Sequence, residues 1–242
     1  MSCTKIVPEK EIKLYLRLYE GDVTLISSLI DFYHGIQTRG NSKALTYIYE
    51  EGLAPIIKGA DFNRYVIPTV STYIRFVKEN VKSGGDIRYY DVGAKLLIRT
   101  TADRITASID YNRYFALNSV NVAVSLKQDI SLEFLLAILN SKLMEYWYRL
   151  TVQEYNKTFA EVKIVYLERI PVKYNIRLKN QIISHVTKIL SISTYNDIDF
   201  HKEDQQIDLL VYKLYGLTYD EVLIVDPKTP ITREEYETND NN

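Results

Sequence analysis

AKLLIRTTADRITASIDYNRYFALNSVNVAVSL, residues 94–126, contains three segments that alternate between apolar and polar residues or run continuously apolar. They are residues 94–101, 104–110 and 114–126, and short breaks separate them. Short segments rich in β-branched and apolar residues between such breaks are typical of consecutive antiparallel strands. The stretch therefore predicts a three-stranded meander, around which the rest of the chain is arranged.

A helical pattern follows this stretch directly. Ser131 is a suitable N-cap, and apolar side chains then recur at steps of three or four residues. These are Leu132, Leu135, Leu136, Leu139, Leu143 and Trp147. The spacing predicts one long amphipathic helix. Beyond it, residues 162–172 favour a strand that ends at Pro171, and residues 178–191 favour another helix.

The C-terminal quarter shows the stop and start signals of a helical hairpin. Gly216 suits a helix end, because glycine adopts a left-handed conformation at little cost. Thr218 and Glu221 have the spacing of a capping box, so a second helix is expected to begin at once. The remaining tail is polar, and we expect part of it to be disordered.

Taken together, these patterns predict an α+β fold with a mixed or antiparallel sheet body, a long central helix and a C-terminal helical hairpin. Upstream, residues 31–52 read as a loop between strands and residues 65–77 as an extended segment leading to a strand. We expect four parts: an N-terminal helical or linker segment 1–30, an α+β body 31–176, a helical part 177–226 and a polar tail 227–242.

The chain has 242 residues, and its net charge of −1 hides an uneven distribution. Residues 34–180 carry 21 basic and 14 acidic side chains, whereas residues 181–242 carry 5 and 12. A basic middle can be the footprint of a nucleic-acid partner, or an ordinary solvated surface. The single cysteine, Cys3, excludes a disulfide framework. With no signal-peptide pattern or long apolar span, we expect a soluble cytoplasmic protein.

Sequence motifs of several enzyme classes are missing. There is no glycine-rich phosphate loop, no nucleophile elbow and no cysteine–histidine cluster with metal-ligand spacing. Glu161 and Lys163 spell the E-x-K half of a metal-dependent nuclease site, with Glu154 and Asp129 as acidic residues upstream. Three-letter matches of this kind arise by chance, so a surface or phosphate-contacting role for Lys163 is the stronger interpretation.

Five stretches, in order, resemble the C-terminal target-recognition domain of TaqI-like N6-adenine DNA methyltransferases and type IIG restriction-modification enzymes. They are HGIQTRGNSKALTY (34–47), APIIKGADFNRYVI (54–67), residues 90–124, residues 135–172 and IDLLVYKLYGLTYDEVLIVD (207–226). Arg39 departs from the glycine-turn pattern of the first. The resemblance also explains the E-x-K match, because F-x-x-[IV]-K is an ordinary helix-to-strand junction in this family.

The resemblance implies sequence-specific recognition of double-stranded DNA in bacterial-type restriction-modification defence, without catalysis by this chain alone. No N-P-P-[FY] motif is present, and no cofactor-binding start of a methyltransferase. We therefore expect an excised domain or a separate specificity subunit that works with an N6-adenine methyltransferase. S-adenosylmethionine would bind in that missing part, and no cofactor or metal is expected here.

Polar side chains in the predicted loops are candidates for DNA contact, because phosphate contacts set register and base-edge contacts set identity. Arginine can read guanine, and asparagine or glutamine can read adenine. Candidate phosphate or groove contacts are Lys43, Lys58, Arg64, Lys157 and Lys163, and candidate base readers are Gln37, Arg39, Asn41, Arg104 and Asn118. Tyr65, Tyr114 and Tyr155 are further candidates beside basic residues.

Two other functions stay open from the sequence. The chain could be a protein-interaction module that docks on a separate methylase or nuclease, with its acidic C-terminal quarter as a scaffold face. A free-standing nuclease is supported only by the E-x-K match.

Overall fold

A computed structural model describes residues 7–40, 44–102, 104–152, 161–192 and 200–238. The helices are α1 Glu9–Arg17, α2 Leu132–Asn140, α3 Lys142–Val152, α4 Ile164–Leu167, α5 Ile176–Ile192, α6 His201–Leu214, α7 Tyr219–Val225 and α8 Arg233–Thr238. The strands are β1 Val23–Leu25, β2 Ile30–His34, β3 Gln37–Thr38, β4 Leu45–Thr46, β5 Ala54–Ile57, β6 Tyr73–Ile74, β7 Val81–Ser83, β8 Lys95–Arg99, β9 Ala107–Asp110, β10 Phe115–Ala116, β11 Val120–Ser125 and β12 Pro171–Lys173. The predicted α+β class is confirmed.

An antiparallel sheet in the order β2-β11-β8-β9 forms the middle of the molecule. Alternate residues of a strand point to opposite faces. In β8, Leu96 and Ile98 pack into a larger core, whereas Leu97 packs into a smaller one. This sheet is therefore buried on both faces, which explains why residues 94–98 are nearly all apolar.

The predicted meander is only partly correct. β8 and β9 pair as consecutive antiparallel strands, but β11 pairs with the other side of β8. Between them the Asp110 carboxylate accepts hydrogen bonds from the backbone N–H groups of Asn112 (2.7 Å) and Tyr114 (2.9 Å). These bonds bend the chain away from β9, so β10 leaves for a second sheet before the chain returns as β11.

The smaller core lies under two further sheets. One has the order β10-β5-β6-β4, and the other is the two-stranded ribbon β3–β7. Phe62, Tyr90 and Phe115 are among the large side chains that fill this core. The loops that connect these short strands carry most of the predicted site residues.

The larger core lies on the opposite face of the central sheet and is covered by helices. The predicted long helix is two helices, α2 and α3, because Ser141 between them is extended (ψ 153°). The Ser141 hydroxyl accepts a hydrogen bond from the Met144 backbone N–H at 3.2 Å and so caps α3. The amide of Asn140 also bonds both backbone groups of Ala107 in β9, which holds the break against the sheet.

Two other segments differ from the sequence expectation. Residues 162–172 contain the short helix α4, and Pro171 begins strand β12 instead of ending one. Proline is tolerated at the first residue of an edge strand because no ladder N–H is required there. Strand β12 pairs with β1. The N-terminal segment is therefore helical only to Arg17, and it contains a strand further along.

The helical hairpin is present as predicted. Gly216 has φ 66°, and Thr218 and Glu221 form a reciprocal capping box at the start of α7. The predicted polar tail, however, contains α8. Tyr236 in this helix is buried, and its hydroxyl donates to the Leu217 carbonyl at 2.7 Å. The tail therefore packs back onto the hairpin.

A buried polar junction joins the helical part to the sheet body. The Arg64 guanidinium donates to an Asp204 carboxylate oxygen (2.6 Å) and to the Asn140 carbonyl (2.8 Å). One turn further along α6, Asp208 accepts a hydrogen bond from the Lys142 backbone N–H at 2.9 Å. Burial, and secondarily the negative charge of Asp204, raises the pKa of Asp208 to about 7.

The raised pKa of Asp208 predicts that its contribution to stability changes between about pH 4 and pH 7. An unfolded aspartate loses its proton near pH 4, whereas folded Asp208 keeps it until about pH 7. Its contribution to the free energy of unfolding therefore falls as pH rises through this window. Asp208→Asn cannot ionise, and it should gain on the order of 4 kcal/mol relative to the natural protein between pH 4 and pH 8, at about 1.36 kcal/mol per pKa unit.

Urea unfolding at several pH values measures this difference. Asp129→Asn, at an exposed carboxylate, is the control and should show no such trend. A constant difference between Asp208→Asn and the natural protein at all pH values would show that Asp208 is ionised in the folded state.

Candidate nucleic-acid interface

Three strands of the second sheet end at the same edge. β10 runs parallel to β5, and both β5 and β4 are antiparallel to β6. Their C-terminal ends therefore face one side and lead into residues 117–119, 58–59 and 47–49. We call the surface formed by residues 36–40, 47–49, 58–59, 100–101, 117–119 and 161–163 the loop edge.

Backbone hydrogen bonds from the 117–119 turn hold several parts of the loop edge together. The N–H of Leu117 donates to the Ile57 carbonyl (2.8 Å), and the N–H of Asn118 donates to the Ile36 carbonyl (2.9 Å). The Ser119 hydroxyl accepts a hydrogen bond from the Gly59 N–H at 2.9 Å. Hydrogen bonds to the backbone and to one hydroxyl thus join loop segments that are far apart in sequence.

The same network continues toward α4. The N–H of Thr100 donates to the Ser119 carbonyl (3.0 Å), and the N–H of Val162 donates to the Thr100 carbonyl (2.7 Å). Thr101 and Glu161 form an isolated antiparallel bridge. Lys163, the N-terminal flanking residue of α4, therefore lies at the far end of the loop edge.

Four of the predicted site residues come together near the 117–119 turn, and a fifth, Lys163, lies at the far end of the loop edge. Gln37 and Asn118 are exposed, and their backbones are neighbours through the Ile36–Leu117 bridge. Lys58 follows β5 directly, and its ammonium lies 3.8 Å from the Asp61 carboxylate with the side chain 43% exposed. Arg39 lies two residues beyond Gln37. Two amide side chains and two cations thus share one surface, although they come from three separate loops.

The ribbon β3–β7 adds two lysines that the sequence analysis did not select. The Arg39 Nε donates to the carbonyls of Val81 (3.1 Å) and Lys78 (3.4 Å), which fastens the ribbon ends together. Lys78 and Lys82 are exposed beside it. Lys78 and Lys82 follow Arg75 closely in sequence, but three basic residues at this spacing are a weak indication of a binding site. Only the pairing of residues 37–38 with 81–83 places the two lysines beside the loop edge.

Arg64 requires a correction, because its side chain is only 12% exposed and is bound in the buried junction described above. Tyr65 is also buried, with φ 64°, so neither residue presents its side chain to an external ligand. Arg104 lies near α3, with its guanidinium 3.8 Å from the Glu145 carboxylate. Asn41, Lys43, Tyr155 and Lys157 lie outside the described residues.

The E-x-K residues do not assemble with the upstream acid Asp129. Glu161 is exposed and lies near Thr101 at the loop edge, 3.8 Å from Lys163. Asp129 follows the C-terminal end of β11, whereas Glu161 lies near its N-terminal end. The two ends of this strand are roughly 17 Å apart, because an extended strand rises about 3.3 Å per residue. Glu154 lies outside the described residues. The described part of the chain therefore lacks the adjacent carboxylates that a metal-dependent nuclease site requires.

Within the described ranges, no group of three or more histidine, cysteine, aspartate or glutamate side chains is placed to hold a metal ion. None of the helices described is long and apolar enough to cross a membrane.

Part of this chain matches a known protein family. Residues 54–172 match the family model described as the TaqI-like C-terminal specificity domain. This part of the chain is similar to that family. The resemblance found in the sequence is thereby confirmed, although the matched range leaves out the first motif, 34–47, and the helical hairpin.

The fold of the specificity domain is shared with a solved restriction-modification protein. The type IIL enzyme MmeI, solved in complex with DNA, is 13% identical, with a TM-score of 0.54 over 89% of this chain and 36% of its own. An HsdS subunit from Thermoanaerobacter tengcongensis is 12% identical, with a TM-score of 0.46 over 86% of this chain and 51% of its own. The chain thus spans about half or less of these proteins. No curated protein sequence matches it.

The structure explains the motif KGADFNRY, residues 58–65, of the specificity domain. Asp61 accepts a hydrogen bond from the Lys58 N–H at 3.0 Å, which closes a single turn after β5. A Cβ on Gly59 would lie 2.7 Å from the Ser119 carbonyl oxygen, so only glycine fits against the 117–119 turn. Arg64 then enters the buried junction. The first residues of the motif form the turn at the loop edge, and Arg64 near its end holds the segment to the helical part.

The loop edge also depends on Gly35, because a Cβ there would lie 2.1 Å from the Leu117 carbonyl oxygen and 2.6 Å from that of Val120. Gly35→Ala should displace the 117–119 turn, cost about 2 kcal/mol and lower the melting temperature by about 4–8 °C. Calorimetry measures the shift.

Gly93→Ala is the matched control, since no heavy atom of the described chain lies within 4 Å of its Cβ position. It should melt within about a degree of the natural protein. Equal melting temperatures for the two variants would show that the 117–119 turn is not packed against Gly35.

Proposed function

We propose that this chain recognises a specific sequence in double-stranded DNA as the specificity part of a restriction-modification methyltransferase of the type IIG kind. The observation that carries the proposal is the loop edge, where Gln37 and Asn118 lie beside Arg39 and Lys58 on a specificity-domain fold. The DNA bound to MmeI, whose fold is similar, supports the same ligand here.

The side chains of the loop edge suit the two tasks of sequence-specific binding. Lys58, Lys78 and Lys82 would neutralise phosphates and set the register on the duplex. Gln37 and Asn118 carry amide groups that can bond an adenine edge bidentately, and Arg39 can bond guanine. Because their backbones are fixed by the hydrogen-bonded turn, these groups would meet the DNA in a preset arrangement. A preset arrangement reduces the entropy lost on binding.

The proposal assigns a different task to the helical part. The acidic quarter 181–242 would repel DNA phosphates, so α6 and α7 would face away from the duplex. The partner would be an N6-adenine methyltransferase domain or subunit that binds S-adenosylmethionine and performs the chemistry. This chain supplies recognition and no catalytic group.

A groove between α5 and α6 favours a second candidate function, docking on a separate methylase or nuclease. It encloses about 490 Å³ and is lined by apolar Leu178, Leu209 and Leu210 together with Arg177, His185 and Lys213. A partner helix with acidic residues would suit this lining. A gel shift with random duplexes at two salt concentrations separates the candidates, because a docking module would not bind DNA at low salt.

Replacing Lys58 and Lys82, two of the proposed phosphate contacts, with alanine should weaken binding to all duplexes. Each lost phosphate contact lowers the slope of log K against log salt by about 0.9, so the double variant should lose up to about 1.8. Fluorescence anisotropy with a randomised labelled duplex, measured from 50 to 200 mM salt, gives both quantities.

Lys10→Ala/Lys202→Ala is the control, since it removes the same charge from exposed positions on α1 and α6. Its salt slope should equal that of the natural protein. If both double variants lowered the slope equally, the attraction would be a general charge effect, and the loop edge would not be the contact surface.

A further inference from the structure

The loop edge carries three consecutive large side chains that are exposed to solvent. Tyr47, Ile48 and Tyr49 are 74%, 72% and 64% exposed, and we call them the apolar tip. Exposed apolar runs are unfavourable in water and commonly mark contact sites. Neither phosphate binding nor amide readout of bases uses these residues.

The apolar tip has a defined shape. The Thr46 hydroxyl accepts a hydrogen bond from the Ile48 N–H at 3.1 Å, which closes a turn directly after β4. The Tyr49 ring contacts the Tyr73 ring edge-on, with centroids 5.4 Å apart at 63°. Tyr49 therefore braces the loop, and Tyr47 and Ile48 are the more exposed members.

The position of the apolar tip links it to the residues proposed to contact DNA. β4 and β5 run in the same direction on either side of β6, so their C-terminal ends lie about 10 Å apart at one edge. Lys58 follows β5, and Tyr47 follows β4. A duplex that contacts Lys58 along this edge would also meet the tip.

Glu50, the acid that follows the apolar tip in sequence, is paired. The Glu50 carboxylate lies 3.5 Å from the Arg75 guanidinium, which offsets its charge. Lys58, Lys78 and Lys82 add positive charge elsewhere on the loop edge and the ribbon. An apolar projection flanked by cations suits a polyanion whose interior is aromatic and apolar.

We propose that Tyr47 and Ile48 form a wedge that packs against a base step of duplex DNA and loosens its stacking. This inference rests on the proposed function and adds a mode of contact to it. Inserted aliphatic side chains partly unstack a base step and kink the duplex, and pyrimidine–purine steps yield at the lowest energy. The wedge would therefore favour a deformable step in the recognised sequence.

Affinity measurements with the full chain test the apolar contact. Tyr47→Ser/Ile48→Ser should bind a randomised duplex at least about 10-fold more weakly, because burial of two large apolar side chains is lost. Its salt slope should stay unchanged, since no phosphate contact is removed. Leu126→Ser is the control, because Leu126 is 51% exposed and follows the end of β11 that points away from the loop edge. It should bind like the natural protein.

A fluorescent reporter at the same position tests stacking on bases. Ile48→Trp should lose fluorescence on addition of saturating duplex, whereas Leu126→Trp should not, with buried Trp147 as a constant background in both. Circular dichroism confirms that each variant is folded. Unchanged affinity of the serine double variant, or an unquenched Ile48→Trp that still binds DNA, overturns the wedge and leaves DNA recognition standing. Failure of the natural protein to bind any duplex overturns both.

Discussion

The fold depends on a central sheet that is buried on both faces. Leu97 of β8 and Val122 of β11 face the smaller core under the short sheets, whereas Leu96 and Ile98 face the larger core under the helices. A one-residue slip of register would exchange the two sets and disrupt both cores at once. The pair Lys95–Asp110 reinforces this register, because these two fully buried residues are opposite each other on β8 and β9 and joined by an ion pair of 2.5 Å.

The candidate site is the consequence of this arrangement at one edge. Asp110 turns the chain out of the central sheet, β10 crosses to the second sheet, and the 117–119 turn returns it to β11. That turn contacts the segments before β3 and after β5 while it connects the two sheets. The candidate side chains on these loops are thereby supported by a rigid scaffold, which is the usual arrangement in binding proteins.

Local patterns predicted the parts of the fold whose causes are local. Gly216 with the capping box Thr218–Glu221 placed the hairpin correctly, because the signals lie within a few residues of each other. The break at Ser141 was missed, since its apolar neighbours keep a helical spacing on both sides. At the site, Gln37 and Asn118 are exposed and Lys58 is partly exposed, and their contact with DNA stays a prediction. Arg64 is bound in the buried junction instead, and no local signal reveals this because its partner Asp204 is 140 residues away. The exposed tip 47–49 has the composition of a strand, so only the tertiary structure shows that it is uncovered.

Hydrogen–deuterium exchange of the full chain, with and without a randomised DNA duplex at low salt, tests the central claim that the loop edge is the recognition surface. The account predicts that DNA slows exchange in peptides covering residues 36–40, 47–49 and 117–119 and leaves α7 and α8 unchanged. Slower exchange confined to α5 and α6, with the loop edge unaffected, would contradict it and assign binding to the helical part.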